Sequence, residues 1–371
     1  MELSFEPVLY GDEVVGLGHL VCVNILATAA SQNLHPNVPH IILCKEQHLR
    51  HIAHIANILS PNICFVPLSD IKYTLISSRS KDILYSFEYF CKNRFLEALN
   101  GSNRPIYGAQ WNLSLEFLGK NSIPLYNENY NNIPLLSEIY PDTFGDNEKI
   151  AVVNARTTPC DTYARNSDPN KLQPLINLLK ERNFKIVRLG ANYSSAELYG
   201  VDLDLSGAWS SGLELSSLKS AFLVVGGLTG ITILSGMLGI TTLLYDCPTP
   251  IQTYLFHNFP NHYILFKKPP PRSLRHSTGI YEYFSLATHE YTMLGLEKAE
   301  NGNNLIGCSL LADLIPNVSN ELCAAVNYML DNDLSLSSDS SGNASCFKSE
   351  IHRRTGLRSS HNKLFPEYIY E

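Results

Sequence analysis

Gly226-Gly227-Leu228-Thr229-Gly230 is the stretch of this 371-residue chain whose residue types point most directly to chemistry. An apolar run, Phe222 to Val225, leads into it, and small and apolar residues, Ile231 to Leu238, lead out. The first run predicts a buried strand and the second a helix stopped by Gly239, with Thr241 to Tyr245 as the next strand. Such a turn delivers the chain to a helix N-terminus, where the first N–H groups have no partner inside the helix and the dipole adds partial positive charge. A phosphate or carboxylate is the natural occupant, and glycines let a bulky anion approach the backbone. Thr229, Gly230, Ile231 and Thr232 are the positions expected to hold it, Thr229 through its hydroxyl as well. The same residues also suit a tightly packed turn that binds nothing.

The elements that must position this turn follow from the apolar pattern. Phe5 to Tyr10, Val38 to Cys44 and Ile63 to Val66 read as strands, with helices over Leu20 to Ser31 and Gln47 to Leu59. Strand and helix alternate through the first seventy residues, the pattern of a parallel sheet covered on both faces. Residues 71–110 are mixed and aromatic, with a helix expected around Tyr85 to Leu99. Between about 120 and 148 the texture turns to Asn, Pro and Tyr without periodicity, which reads as a connection. A second α/β unit then begins: a strand over Lys149 to Asn154, a helix over Asn170 to Asn183, a strand over Phe184 to Leu189 ending at Gly190, and a short helix over Leu213 to Lys219. After Pro250, loops and helices are expected to about Leu330, then a polar stretch and a tail that packs back on the body. The expected organisation is two Rossmann-like domains, 1–148 with its linker and 149–330, followed by 331–371, with ligand in the cleft where strand ends face each other.

Composition narrows the function classes. Hydrophobic content of 44% and charged content of 17% describe a globular protein, and the net charge of −7 argues against binding nucleic acid through phosphate neutralisation. Apolar runs fall short of the roughly 20 residues a membrane-spanning helix needs. Glu2, Glu6, Asp12 and Glu13 sit where a signal peptide would be basic. The nine cysteines are scattered, without a Cys-x-x-Cys pair. A reducing, cytoplasmic setting is the expectation.

Three segments carry a family resemblance: IAVVNARTTP (150–159), TYARNSDPNKLQPLINLLKERNFKIVRLG (162–190) and GGLTGITILSGMLGITTLL (226–244). Together they resemble bacterial glycosyltransferases of surface-polysaccharide and natural-product clusters. In that pattern a strand ends in an Arg, Tyr-x-Arg-Asn-x-Asp follows, and after a helix the next strand ends in Arg-x-Gly. A Ser/Thr-Gly turn then precedes the last strand. The matching positions are Arg156, Tyr163, Arg165, Asn166, Asp168, Arg188, Gly190, Thr229 and Gly230. The chain is also distantly similar to heptosyltransferases, whose turn is commonly Asp-Ser/Thr-Gly followed by a His. Here Leu228 replaces the Asp and Ile233 the His. The likeness covers about 150–250 well and the N-terminal half only through the loop at Gly16, Gly18 and His19.

The resemblance implies a GT-B fold, with an acceptor on the first domain and a nucleoside-diphosphate sugar on the second. Arg156, past the end of a strand, suits bidentate binding of diphosphate and neutralisation of the leaving group; a salt link between domains is the structural alternative. Arg165 is a second such cation. Gly190 to Tyr193 fall where nucleoside contacts are implied. Transfer with inversion needs a base near the acceptor hydroxyl, and His19, Asp12 and Glu13 flank the acceptor-side loop at Gly16 and Gly18. His19 equally suits a helix cap. No cofactor or metal is expected. His48, His51 and His54 read as a solvated helix face, and Asp202-Leu-Asp204 as a chance match to a metal-binding pattern. A nucleotide-sugar epimerase or hydrolase of the same architecture, or a binding module without catalysis, are the competing expectations.

Overall fold

The structure is a computed structural model that describes residues 6–10, 40–44, 58, 63–67, 126, 128–155, 166–190, 196–207, 211–247, 262–267, 315–331 and 363–364. The chain divides into two compact units, 1–133 with 210–215, and 134–209 with 216–371.

In the first unit, β1 (Glu6–Tyr10), β2 (His40–Cys44) and β3 (Ile63–Pro67) form a three-stranded sheet in the order β1-β2-β3, every pair parallel. Parallel neighbours in sequence order require a crossover between each pair, as the alternating pattern predicts. Ile58, within the span read as a helix, is helical and buried. The expected helix over Leu20 to Ser31 and the aromatic stretch at 71–110 lie outside the described residues.

The stretch expected to be a loose connection is anchored. A 3-10 turn, Glu128–Asn132, and a short helix, α1 (Leu136–Ile139), carry Tyr130 and Leu136 into buried positions, and Phe144 follows. These apolar residues are irregularly spaced, so no periodicity announces them.

The second unit is a seven-stranded, wholly parallel sheet. In chain order it contains β4 (Lys149–Asn154), α2 (Leu172–Glu181), β5 (Phe184–Leu189), β6 (Leu203–Asp204), the part of α3 (Ser211–Lys219) from residue 216 onward, β7 (Ala221–Gly226), α4 (Gly230–Met237), β8 (Thr242–Cys247), β9 (His262–Phe266), α5 (Ser319–Asp331) and β10 (Lys363–Leu364). Across the sheet the order is β10-β9-β8-β7-β4-β5-β6. The central strands are almost unbroken Val, Ile and Leu, as strands covered on both faces must be. One face packs on α2 and α5: Ala151, Val153, Ile186, Leu223 and Val225 form one buried cluster with Leu175, Ile176 and Leu179 of α2 and Leu322, Val326 and Met329 of α5. The alternate residues turn to the other face, where Gly226 meets Thr232 of α4.

One feature departs from expectation, and the tail packs on the body as its sequence predicts. The span after Pro250 contributes a strand, β9, which pairs with β8 from Thr242–His262 onward. The tail adds β10 beside β9 through Lys363–Tyr263 and Leu364–Ile264. No helix among the described residues is long and apolar enough to cross a membrane.

Candidate functional site

The strand order reverses at one place. From β4 the chain steps outward to β5 and β6, then returns to lay β7 against the other side of β4 and continues to β8, β9 and β10. In an open α/β sheet the loops leaving the two strands at such a switch diverge to opposite sides, and the crevice at their carboxyl ends is where ligands bind. Here those ends are Asn154 of β4 and Gly226 of β7, direct partners in the ladder. The glycine turn singled out above leaves Gly226 at this switch point.

The turn is locked by its own side chains. Thr229 caps α4, its Oγ1 accepting from the Thr232 N–H at 3.4 Å, while Thr232 Oγ1 accepts from the Thr229 N–H at 3.1 Å. The Thr232 hydroxyl proton faces the carbonyls of Gly227 at 3.0 Å and Thr229 at 2.9 Å. Thr232 is 0% exposed. It therefore shapes the turn, with its N–H and hydroxyl both turned to groups of the turn itself. Gly230 and Ile231 supply the first two N–H groups of α4, and neither has an acceptor among the described residues. The Thr229 hydroxyl accepts from within and lies 3.5 Å from Thr232 Oγ1, which can accept its proton in the absence of an outside oxygen. Replacing Thr232 with Val, which keeps the shape and deletes the hydroxyl, costs about 1–2 kcal/mol in urea unfolding; an unchanged midpoint contradicts the cap.

Buried hydroxyls fix α4 against its neighbours. Ser235 Oγ lies 2.8 Å from Thr242 Oγ1 of β8 and donates to the Thr232 carbonyl at 2.9 Å. The Thr232 carbonyl also lies 3.0 Å from His262 Nε2 of β9.

Asn154 ends β4 beneath this turn, 1% exposed. Its Nδ2 donates to the Leu189 carbonyl of β5 at 2.9 Å, and its own carbonyl accepts from the Gly227 N–H at 3.2 Å and the Tyr245 hydroxyl at 3.3 Å. Gly190, one of the positions expected near the nucleoside, has φ +118°, and a Cβ there would lie 2.3 Å from Asn154 Nδ2. Its bareness is needed for the amide to reach β5. A Cβ on Gly226 would meet Thr232 Cγ2 at 2.7 Å, so glycine there lets α4 close on the sheet.

A buried ion cluster stands at the carboxyl end of β8. Asp246, in the left-handed region at φ 53°, accepts from Lys171 Nζ at 3.2 Å and from the Asn317 N–H at 2.6 Å, and its own N–H donates to Asn317 Oδ1 at 2.8 Å. Buried Lys267, just past β9, donates to the Asn166 carbonyl at 3.2 Å. Burial pushes the Asp246 carboxyl up and the Lys267 ammonium down, and the charge of each opposes the other's shift. This cluster ties Asn166 and Lys171, which follow Arg165 in the chain, to the ends of β8 and β9.

Other candidates resolve structurally. Arg188 donates to the Ala196 carbonyl at 3.0 Å and pairs with Asp204 at 3.2 Å. Asp202 accepts from Lys180 and from the Ile186 N–H, and Asp204 from the Ser206 N–H, so both acids of the Asp-x-Asp pattern hold the sheet edge together. Asp168 caps the turn into α2. Leu228 and Ile233 are buried. Arg156, Tyr163, Arg165, Tyr193, Asp12, Glu13, Gly16, Gly18, His19, His48, His51 and His54 lie outside the described residues.

Glu214 of α3 was not singled out by the sequence. It is half-buried, and desolvation raises its carboxyl from the ordinary 4.5 to about 7, the range useful for proton transfer near neutrality. A raised carboxyl pKa contributes stability that is present below about 4.5 and lost as pH rises through about 7. Glu214→Gln removes that loss. The variant matches the wild type in urea at pH 4 and exceeds it by about 2 kcal/mol at pH 8, a figure discounted for the partial exposure; parallel curves would show the carboxyl unperturbed.

No family model matches the chain and no curated protein matches it. Among solved structures, the glycosyl transferase family 9 protein from Veillonella parvula is 11% identical, covers 90% of this chain and 99% of its own, and superposes with a TM-score of 0.50. The E. coli heptosyltransferase WaaC with ADP is 13% identical over 71% of this chain and 93% of its own, at a TM-score of 0.41. A UDP-GlcNAc 2-epimerase from Neisseria meningitidis bound to UDP-GlcNAc is 10% identical over 87% and 82%, at a TM-score of 0.28. The first assigns the fold class: an α/β protein with the architecture of GT-B glycosyltransferases.

Proposed function

We propose that the chain is a glycosyltransferase that takes a sugar from a nucleoside-diphosphate donor and passes it to a glycan or small-molecule acceptor. The observation that carries this reading is the coincidence of the glycine turn with the topological switch point: the N–H groups of Gly230 and Ile231 and the Thr229 hydroxyl form a donor set where an open sheet takes its ligand. Arg156 follows β4 by two residues and supplies a guanidinium for the diphosphate, with Arg165 as a second cation. Charge that develops on the leaving diphosphate meets fixed dipoles and these cations, so the protein contributes chiefly electrostatic stabilisation. The proposal includes no metal and no cofactor, a bacterial source, a cytoplasmic setting, and a base drawn from His19, Asp12 and Glu13. Tyr193 and Gly190 stand on the nucleoside side, and Gly16 and Gly18 on the acceptor side.

A thermal-shift screen against UDP, GDP, ADP, CMP and dTDP tests it. One diphosphate raises the melting temperature of the wild type, and Arg156→Ala weakens binding of that ligand by tenfold or more in calorimetry. Unchanged affinity in the variant removes the role given to Arg156. A second reading, binding without transfer, draws on Leu228 and Ile233: both are apolar and packed where related turns present an acid and an imidazole. Turnover of a bound donor on adding acceptors would exclude it.

A further inference from the structure

The amide of Asn154 has a half that the fold does not use. Chemistry fixes its orientation: the atom 2.9 Å from the Leu189 carbonyl oxygen must be the nitrogen, because two acceptors at that distance repel. Oδ1 is thereby turned away from that carbonyl. It is buried and has no hydrogen-bond partner among the described residues. An acceptor left in that state is a cost to the fold, yet the surrounding chain keeps the amide in place. Gly190 is bare where any Cβ would strike Nδ2, and the notional Cβ of Gly226 lies 3.4 Å from that of Asn154. The amide shares the switch point with the first turn of α4, since Asn154 pairs with Gly226 and accepts from Gly227.

The two halves of this site ask different things of a ligand. The Gly230 and Ile231 N–H groups and the Thr229 hydroxyl are donors and suit phosphate oxygens. A lone amide oxygen repels a phosphate oxygen and requires an O–H or N–H. We infer that Asn154 Oδ1 accepts a hydrogen bond from a ligand hydroxyl neighbouring the diphosphate, so that the site reads a diphosphate attached to a polyol rather than a bare phosphate. The hydroxyl belongs either to the ribose or to the transferred sugar; the chemistry is the same. The inference rests on the nucleoside-diphosphate reading above and adds to it a discriminating residue.

The test pairs a change in the protein with a change in the ligand. Wild type and Asn154→Ala are titrated with UDP, GDP and ADP, with their 2′,3′-dideoxy forms, with their glucose conjugates and with pyrophosphate. If the ribose supplies the hydroxyl, dideoxy forms bind the wild type about tenfold more weakly, and the variant binds both forms equally at the lower affinity. If the sugar supplies it, dideoxy forms bind as the parents do, and the variant loses about tenfold against the glucose conjugate alone. The ligand arm needs only the wild type, so a variant that folds poorly does not remove the test: there, dideoxy diphosphates and 2-deoxyglucose, 3-deoxyglucose, 4-deoxyglucose and 6-deoxyglucose conjugates that all bind as their parents do overturn the inference. Equal affinity of variant and wild type for every ligand overturns it, as does the same loss for every ligand including pyrophosphate. Failure of the wild type to bind any nucleotide overturns the donor reading itself.

Discussion

Asp246→Ala is expected to destabilise the second unit by about 3–5 kcal/mol, the cost of removing one partner from a buried ion pair. Three losses combine. Lys171 and Lys267 lose the charge that faces them, the Asn317 N–H loses an acceptor at 2.6 Å, and alanine must adopt φ 53°, which aspartate tolerates better. The effect depends on pH with a definite sign. Burial already lowers the Lys267 pKa and Asp246 opposes that shift, so the variant lowers it further. A lysine with a depressed folded-state pKa gives stability that is present above its ordinary value near 10.5 and lost as pH falls through the folded-state value. Asp246→Ala therefore recovers part of its deficit as pH rises toward 10, measured by urea unfolding across pH 6–10. Asp246→Asn keeps the tolerance for φ 53° and an oxygen for Asn317, and loses less. A deficit below about 1 kcal/mol in the alanine variant would mean that the cluster does not hold β8 and β9 to the start of α2.

Gly190→Ala is expected to cost about 3 kcal/mol. Backbone at φ +118° is open to glycine and costs about 1–3 kcal/mol for a residue with a side chain. The added methyl would sit 2.3 Å from Asn154 Nδ2, so the buried bond to Leu189 breaks and leaves both groups unpaired. For a unit of this size the melting temperature falls by about 6–12 °C. The account also requires a functional consequence. Displacing Asn154 moves the amide at the switch point, so nucleotide affinity falls in the fraction that remains folded. Wild-type stability in Gly190→Ala would show that the glycine is not needed for the amide to reach β5.

Much of this unit was legible in its residues. β4 and β5 have the expected bounds because each is a run of apolar residues closed by polar or glycine signals, and the stripe Leu172, Leu175, Ile176, Leu179 is buried as its spacing predicts. The glycine turn and its helix were legible for the same reason. What stayed hidden has a common cause: pairing across the sheet leaves little local trace. β9 is five residues, His262–Phe266, among prolines and aromatics, and β10 is a two-residue pairing at the far end of the chain. Asn154 ends an apolar strand and reads as ordinary strand punctuation; only the ladder, which sets it between Leu189 and Gly226, reveals its position. Asp246 likewise reads as an interruption in an apolar strand until Lys171 and Asn317 are brought to it. Thr232 did carry a local signal. A hydroxyl at the N-cap and a second polar side chain three residues on is the arrangement of a capping box, and it identifies Thr232 as a group that closes the turn.

The central claim is that a diphosphate sits on the first turn of α4, beside Asn154. The most direct measurement is a crystal structure of the full chain with the nucleoside diphosphate selected by the thermal-shift screen. The account predicts phosphate oxygens within hydrogen-bonding distance of the Gly230 and Ile231 N–H groups and the Thr229 hydroxyl, with Arg156 on the same anion. A diphosphate bound elsewhere, with those two N–H groups facing protein or solvent in the complex, would contradict it.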